Sequence, residues 1–377
     1  MTSTTSAPTH PDRLFFIDNI RVFLTVLVIL HHLMVIYAGS GGWVYKENAQ
    51  DDITAAVGRW FCSVNQAYFM GLFLFISAYF VPGAYDRKGA KRFLKDRLIR
   101  LGIPLVLYAW VIRPLWYFYE WSLPGSFWNW YINEYFRGFG YIGGGPLWFI
   151  EVLLIFALFY AGYRTFKPQL VEQISDACFP SNRKLVLFAF LLGIASSIVQ
   201  IWFPRDTAIT ELNLQLANFP QYIALFILGL MAYPRNWFTA LPDKTAHRWM
   251  IVVLLLCFLP LLVAFDTNAQ PDAVAKIVEG LISNLWESFM CVGMCISVVY
   301  LFRRYLNFQG RVASWSSRNA YTAYLIHEPL ITSIARAIAG VALYPLLKFA
   351  LMGLVTVPLT FLLSALIRKL PYANRVL

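Results

Sequence analysis

Residues 13–39 read RLFFIDNIRVFLTVLVILHHLMVIYAG, an apolar run broken by Asp18, Arg21, Thr25 and two adjacent histidines, His31 and His32. A spanning helix needs about 20 apolar residues, and 14–38 supplies them. The run is longer than the core of a secretory signal and lacks a convincing small-residue cleavage site, so it reads as a retained membrane helix. Ionisable groups inside such a helix are costly and are functional candidates by default. Arg21 and His32 are eleven residues apart, which at ~100° per residue puts them on one face, ~16 Å apart along the axis. Asp18 stands three before Arg21, a pairing distance on a helix, and Thr25 joins the stripe. His31 points ~100° away from His32 and is the weaker candidate on this geometry. A neutral imidazole accepts a proton near pH 7, which suits general-base chemistry. The bland alternative is a core histidine bonded to a backbone carbonyl, and the aligned Asp–Arg–His stripe argues against it.

The rest of the chain fits a membrane setting. Of 377 residues, 59% are hydrophobic and only 14% charged, against about 25% charged in soluble domains. Mean hydropathy is +0.58. These values exclude a soluble enzyme, a disordered chain and a DNA-binding domain. The 31 Lys and Arg exceed the 20 Asp and Glu by 11, an excess that in so apolar a chain points to loops facing anionic lipid rather than nucleic acid. Five cysteines without a CxxC pair indicate neither a disulfide framework nor a metal site.

Ten stretches qualify as spans: 14–38, 55–82, 93–118, 146–166, 184–203, 217–233, 248–265, 275–302, 317–340 and 345–369. The second and eighth are long and carry polar positions, which suits tilt or a break. Every second loop is basic, as in Arg87, Lys88, Lys91, Arg92, Lys95, Arg97 and Arg100 after the second span. The positive-inside rule then places both termini in the cytoplasm. The expected fold is all-α: a polytopic bundle of about ten transmembrane helices, with a polar tail at 1–13, one membrane domain at 14–369 and a short tail at 370–377. The loop EWSLPGSFWNWYINEYFRGFGYIGGGP (residues 120–146) is rich in aromatics, which suit an interfacial belt and can also stack on sugars.

Further polar groups sit in other spans. The fourth opens with Trp148 and Glu151 on one face, and that carboxylate is a candidate to orient or stabilise His32. The ninth carries Tyr324, His327 and Glu328, with Pro329 expected to kink it. The eighth carries Asn284 and Glu287. Polar groups on several helices imply a hydrated cavity. The stretch DRKGAKRFLKDRLIRLGIP (residues 86–104) places Arg97 and Arg100 one turn apart, a spacing that grips phosphates; a plain positive-inside anchor is the alternative.

Together these segments resemble the acyltransferase 3 family of integral membrane acyltransferases. The matching residues are Arg21 and His32 with ten residues between them, FLFISAYFVPGAYD (73–86) followed by the RxxR pair Arg97 and Arg100, GPLWFIEVLLIF (145–156) with Trp148 and Glu151, and AYTAYLIHEPL (320–330) with His327. The first span and the basic stretch look particularly similar to the osmoregulated periplasmic glucan succinyltransferase branch. Ala78 stands where the family usually has glycine, from which modest repacking is expected.

The resemblance implies acyl transfer from cytoplasmic acyl-CoA, either acetyl-CoA or succinyl-CoA, to a hydroxyl of a carbohydrate or cell-envelope glycan. It implies a bacterial inner membrane, a lipid-bilayer setting, no nucleic-acid partner and no tightly bound cofactor. His32 would be general base or acyl relay, with Glu151 and Arg21 beside it. Arg97, Arg100, Arg92 and Lys95 would hold the donor, with Asp18, Trp148, Tyr324 and His327 in support. A succinyl donor would need one more cation, for which Arg59, Arg113 and Arg336 are candidates. The rival reading is a proton-coupled transporter of a glycan or lipid-linked sugar.

Overall fold

The computed structural model describes residues 14–38, 41–47, 51–137, 145–167, 178–205, 214–259 and 273–377. The tail 1–13 and the glycine-rich run 138–144 lie outside them. Among the described residues every regular element is helical. The principal helices are α1 (Phe15–Ala38), α2 (Asp52–Gln66), α3 (Phe69–Tyr79), α4 (Val81–Glu120), α5 (Trp148–Phe166), α6 (Asn182–Trp202), α7 (Phe219–Ala232), α8 (Asp243–Cys257), α9 (Ala273–Tyr305), α10 (Arg311–Ala337) and α11 (Pro345–Ile367).

Seven helical stretches among the described residues are long and apolar enough to cross a membrane: α1, Asp52–Tyr79, α4, Gly145–Phe166, α6, Lys276–Tyr305 and α11. The other three expected stretches differ for identifiable reasons. Leu216–Ala232 is apolar but shorter. α8 ends at Cys257, and 260–265 lie outside the described residues. α10 is 27 residues long but polar, with Arg318, Asn319, Thr322, His327, Glu328 and Thr332 on it. It continues unbroken through Pro329.

α1 is the interior helix. It packs against α2, α3, α9, α10 and α11, and 67% of its apolar window is buried. In α6 and α4 that share is 28%, so most of their Leu, Ile, Val and Phe side chains face outward, where lipid rather than water is the fitting solvent.

The second expected span is two helices. The chain breaks at Ala67–Tyr68, and the Ala67 carbonyl freed by the break accepts from Gln221 Nε2 of α7 at 2.5 Å. At its other end Asp51 caps α2, accepting from the Thr54 hydroxyl at 2.6 Å and its amide at 2.8 Å. The Thr54 hydroxyl and amide hold the Asp51 carboxyl below the usual range. α3 then lies closely on α7. A Cβ built on Gly229 would fall 2.4 Å from the Phe75 carbonyl oxygen and 2.6 Å from the Ala78 methyl. The methyl that Ala78 adds is therefore accommodated by a glycine on the facing helix, the small-against-small contact that lets membrane helices approach.

α4 contains two widened turns of π type, at Leu98–Gly102 and Tyr108–Ile112. Each comes just before a proline, Pro104 and Pro114. Proline lacks an amide hydrogen and crowds the carbonyl four residues back, and an extra residue in the turn relieves that crowding. Those carbonyls, of Arg100 and Trp110, accept instead from tyrosine hydroxyls: Tyr321 at 2.5 Å and Tyr131 at 2.9 Å. Tyr135 serves the Ala109 carbonyl at 2.6 Å. The helix thus changes register twice without leaving these polar groups unpaired in an apolar medium.

Gly229→Ala should part α3 from α7 and destabilise the fold by roughly 1–3 kcal/mol. The readout is the midpoint of thermal unfolding in detergent, and an unchanged midpoint would contradict the close contact.

Candidate active site

α1 and α10 cross so that His32 meets His327. Their rings are nearly parallel at 14°, with centroids 5.1 Å apart, and His32 Nδ1 lies 3.1 Å from His327 Nε2. The tautomers follow from the partners. His327 Nδ1 faces the Tyr324 carbonyl oxygen at 2.5 Å, and a carbonyl only accepts, so that nitrogen carries the hydrogen. In the neutral ring Nε2 then holds a lone pair. The hydrogen between the two rings therefore belongs to His32 Nδ1, and the lone pair of His32 is left on Nε2. His327 is fully buried behind this contact, while His32 is half-buried.

Trp43 covers His32. The rings stack at 4.0 Å and 22°, and the indole N–H donates to Thr332 Oγ1 at 3.1 Å. His31, the weaker candidate by helical geometry, is buried, lies edge-on to His32 at 5.5 Å and packs on Phe69 at 5.0 Å.

His31 and His32 line a cavity of about 620 Å³. Its near wall carries Glu328, which follows His327 in sequence. Tyr108 donates its hydroxyl to Glu328 Oε2, and Arg113 Nε lies 3.7 Å from the same oxygen. The widened turn makes this possible, because the Arg113 amide bonds to the Tyr108 carbonyl five residues back. The turn stacks residue 113 over 108, where an ideal helix would set them ~140° apart. Gly145 closes against the same carboxylate. Its φ is +52°, and a Cβ there would lie 2.6 Å from Glu328 Oε2. Tyr324 donates its hydroxyl to the neighbouring Pro146 carbonyl.

The far wall is aromatic and amide-rich. Trp148 stacks on Tyr222 at 5.3 Å and 22°, and Trp286 stands beside them with Gln66 and Asn218. Arg205 binds Glu287 at 2.5 Å and Asn284 at 2.7 Å, which joins the eighth-span polar pair to the site. Arg59 lines the cavity as well.

The residues singled out in the sequence thus divide. His32, Trp148 and Tyr324 line the cavity, and His327 supports His32 from behind. Glu151 is half-buried in the first turn of α5 and is not among the lining residues; the nitrogen contact of His32 goes to His327 instead. Arg21 lies about three turns away along α1. It pairs with Asp18 at 3.5 Å and sits 5.0 Å over Phe80. Arg97 lies close enough to Arg21 and Arg100 for their charges to interact. None of Arg21, Arg92, Lys95, Arg97 and Arg100 lines the cavity. Arg336 is held by Glu120 at 3.0 Å and by the Trp121 ring. Among the described residues no group of three His, Cys, Asp or Glu side chains is placed to hold a metal ion.

The family described as an acyltransferase domain, Acyl_transf_3, matches residues 14–365. The chain belongs to the acyltransferase 3 family. Its similarity extends to proteins named Glucans biosynthesis protein C. That of Salmonella schwarzengrund (strain CVM19633) is 26% identical over 336 residues, covering 84% of this chain and 82% of the relative. That of Salmonella heidelberg (strain SL476) is 26% identical over 337 residues with the same shares. No solved structure matches the chain. This acyltransferase is accordingly a multi-pass membrane enzyme whose cavity is lined by His32, with His327 buried behind it.

Sequence reasoning missed Trp43, which sits in the short segment after the first span and carries no pattern of its own. It noted Glu328 beside His327 without giving it a part, and nothing in the spacing tied Tyr108 or Gly145 to it. Gly145→Ala is expected to displace the Glu328 carboxylate and to strain a positive φ, at roughly 1–3 kcal/mol. Both thermal midpoint and transfer activity should fall; wild-type values for both would contradict the packing of Gly145 on Glu328.

Proposed function

We propose that this acyltransferase moves an acetyl or succinyl group from cytoplasmic acyl-CoA to a hydroxyl of a carbohydrate or cell-envelope glycan, with His32 as general base. The observation that carries the reading is the lone pair on His32 Nε2, fixed by the chain His32 Nδ1–H to His327 Nε2 and His327 Nδ1–H to the Tyr324 carbonyl. A base held in one tautomer by a second group is the arrangement hydroxyl activation requires.

Nε2 would take the proton of the acceptor hydroxyl as its oxygen attacks the thioester carbonyl. The carbon–sulfur bond breaks, and the thiolate leaves with the proton from the imidazolium. His327 Nε2 favours that imidazolium by accepting from Nδ1–H. An acyl-histidine relay would use the same nitrogen as nucleophile.

The cavity supports a sugar acceptor. Its volume lies in the range of small-ligand sites, about 300–1,000 Å³, and it sets the faces of Trp148, Tyr222 and Trp286 beside the side-chain amides of Gln66 and Asn218. The relatives' names concern glucans. The donor end is supported by Arg21, Arg97 and Arg100, whose guanidiniums gather ~16 Å along α1 from His32. Ten crossings with both termini cytoplasmic would put that cluster at the inner face and His32 in the outer half. The donor phosphates would bind there and the pantetheine arm would reach inward.

One further cation bears on the choice between acetyl and succinyl. Arg113 and Arg205 each face a carboxylate, Glu328 and Glu287. Arg59 lines the cavity with no ion pair among the described residues. It is the group placed to receive the distal carboxylate of a succinyl chain.

The test is transfer from acetyl-CoA and succinyl-CoA to a glucan acceptor by the detergent-purified protein. His32→Ala should abolish transfer with either donor, and full activity in that variant would sink both the base and the relay. Arg59→Gln should lower kcat/KM for succinyl-CoA relative to acetyl-CoA by about tenfold, the loss of ~1.5 kcal/mol of charge-assisted bonding. An unchanged ratio would remove Arg59 from the donor site.

A further inference from the structure

Residues 41–47 (GGWVYKE) form no regular element, yet they are tied down at every side. The Glu47 amide bonds to the Ile36 carbonyl of α1 at 2.7 Å. Trp43 stacks on His32 and donates to Thr332 of α10. Lys46 Nζ donates to the Gly41 carbonyl at 3.0 Å. The strongest tie is Lys348 of α11, whose ammonium donates to both oxygens of Glu47, at 2.9 and 2.8 Å.

Lys348 is unusual in its setting. It is 2% exposed, in a helix long and apolar enough to span a membrane. It lines no part of the cavity, and its ammonium stands 5.6 Å over the Tyr37 ring. A lysine buried among apolar helices is costly unless paired, and here its acidic partner is Glu47, in the same segment as Trp43 and four residues beyond it. Tyr45 also donates to Glu47 at 3.3 Å, so the pair is bonded from both sides. A charge so placed has one evident consequence within reach of the reacting centre, the seating of this segment.

We propose that Lys348 is a positioning residue that acts through Glu47, clamping segment 41–47 so that Trp43 stays stacked over His32. The indole then blocks one face of the imidazole and fixes its plane, leaving the Nε2 edge to the cavity. The clamp stands on geometry alone; its effect on transfer rests on the reading of His32 as the base.

The clamp is tested without substrate by carbethoxylation of the detergent-purified protein with diethyl pyrocarbonate, mapping the rate at His32 by peptide mass spectrometry. Exposed His247 serves as internal reference. Trp43→Ala and Lys348→Met should each raise the His32 rate several-fold with His247 unchanged. The double variant should be no faster than Trp43→Ala alone, because both changes remove the same cover. Lys348→Arg, which keeps the pair, should stay near wild type. Should Lys348→Met fail to fold, Glu47→Gln breaks the pair from the segment side and carries the same expectation. A wild-type His32 rate in Lys348→Met or in Glu47→Gln, or rates that add in the double variant, would overturn the proposal.

Transfer kinetics separate the two readings. With the clamp and the base both correct, Lys348→Met lowers kcat with donor KM little changed, and Lys348→Arg restores it. A raised His32 rate with unaltered kcat would leave the clamp standing and overturn the base.

Discussion

Two imidazoles that meet where α1 crosses α10, His327 buried and His32 half-buried, set the constraint that the surrounding structure satisfies. Within an apolar bundle there is little water to bond a ring nitrogen, and an unpaired polar group there is costly. His32 and His327 answer this by bonding to each other, and His327 passes the requirement on to the Tyr324 carbonyl. The contact fixes the register of α1 against α10, and with it the positions of Thr332 and Glu328. Trp43 is then drawn over His32 by the Thr332 hydroxyl, and Glu328 is aimed at the cavity. One nitrogen, His32 Nε2, is left over, with its lone pair unclaimed by either histidine contact.

α4 shows how local backbone chemistry serves the same site. Two prolines widen two turns, and three tyrosine hydroxyls satisfy the carbonyls at these places. The second widening stacks Arg113 over Tyr108, so both reach Glu328. An undistorted helix would have turned one of them away. Widened turns are often found at functional sites, and here the reason is direct: the distortion brings to Glu328 two side chains that a regular helix would separate.

Much of this was legible in the sequence because membrane chemistry is strict. The all-helical class followed from apolar runs and few charges, and seven of the ten expected stretches are long and apolar enough to cross. α10 escaped that measure because the polar residues that make it interesting also lower its hydropathy. The Asp18–Arg21 pairing followed from helical spacing. The junction of His32 with His327 did not, since 295 residues separate them and periodicity says nothing about which helices touch. Nor did Trp43, whose segment has no periodic pattern, or the paired state of Arg113 and Arg336, which depends on Glu328 and Glu120 in space. Glu151 shows the limit from the other side: its spacing from Trp148 put both on one face, but only Trp148 lines the cavity.

The two ends of α1 carry opposite chemistry, guanidiniums near Arg21 and a lone-pair nitrogen at His32, and one donor molecule in the proposed reaction would join them. The most direct measurement is a structure of the protein with a non-hydrolysable thioether analogue of acyl-CoA. The expected result is phosphates against Arg97 and Arg100, with the analogue's acyl carbonyl beside His32 Nε2 under the Trp43 ring. A bound analogue whose acyl end lies away from His32, with the His32–His327 contact intact, would contradict it.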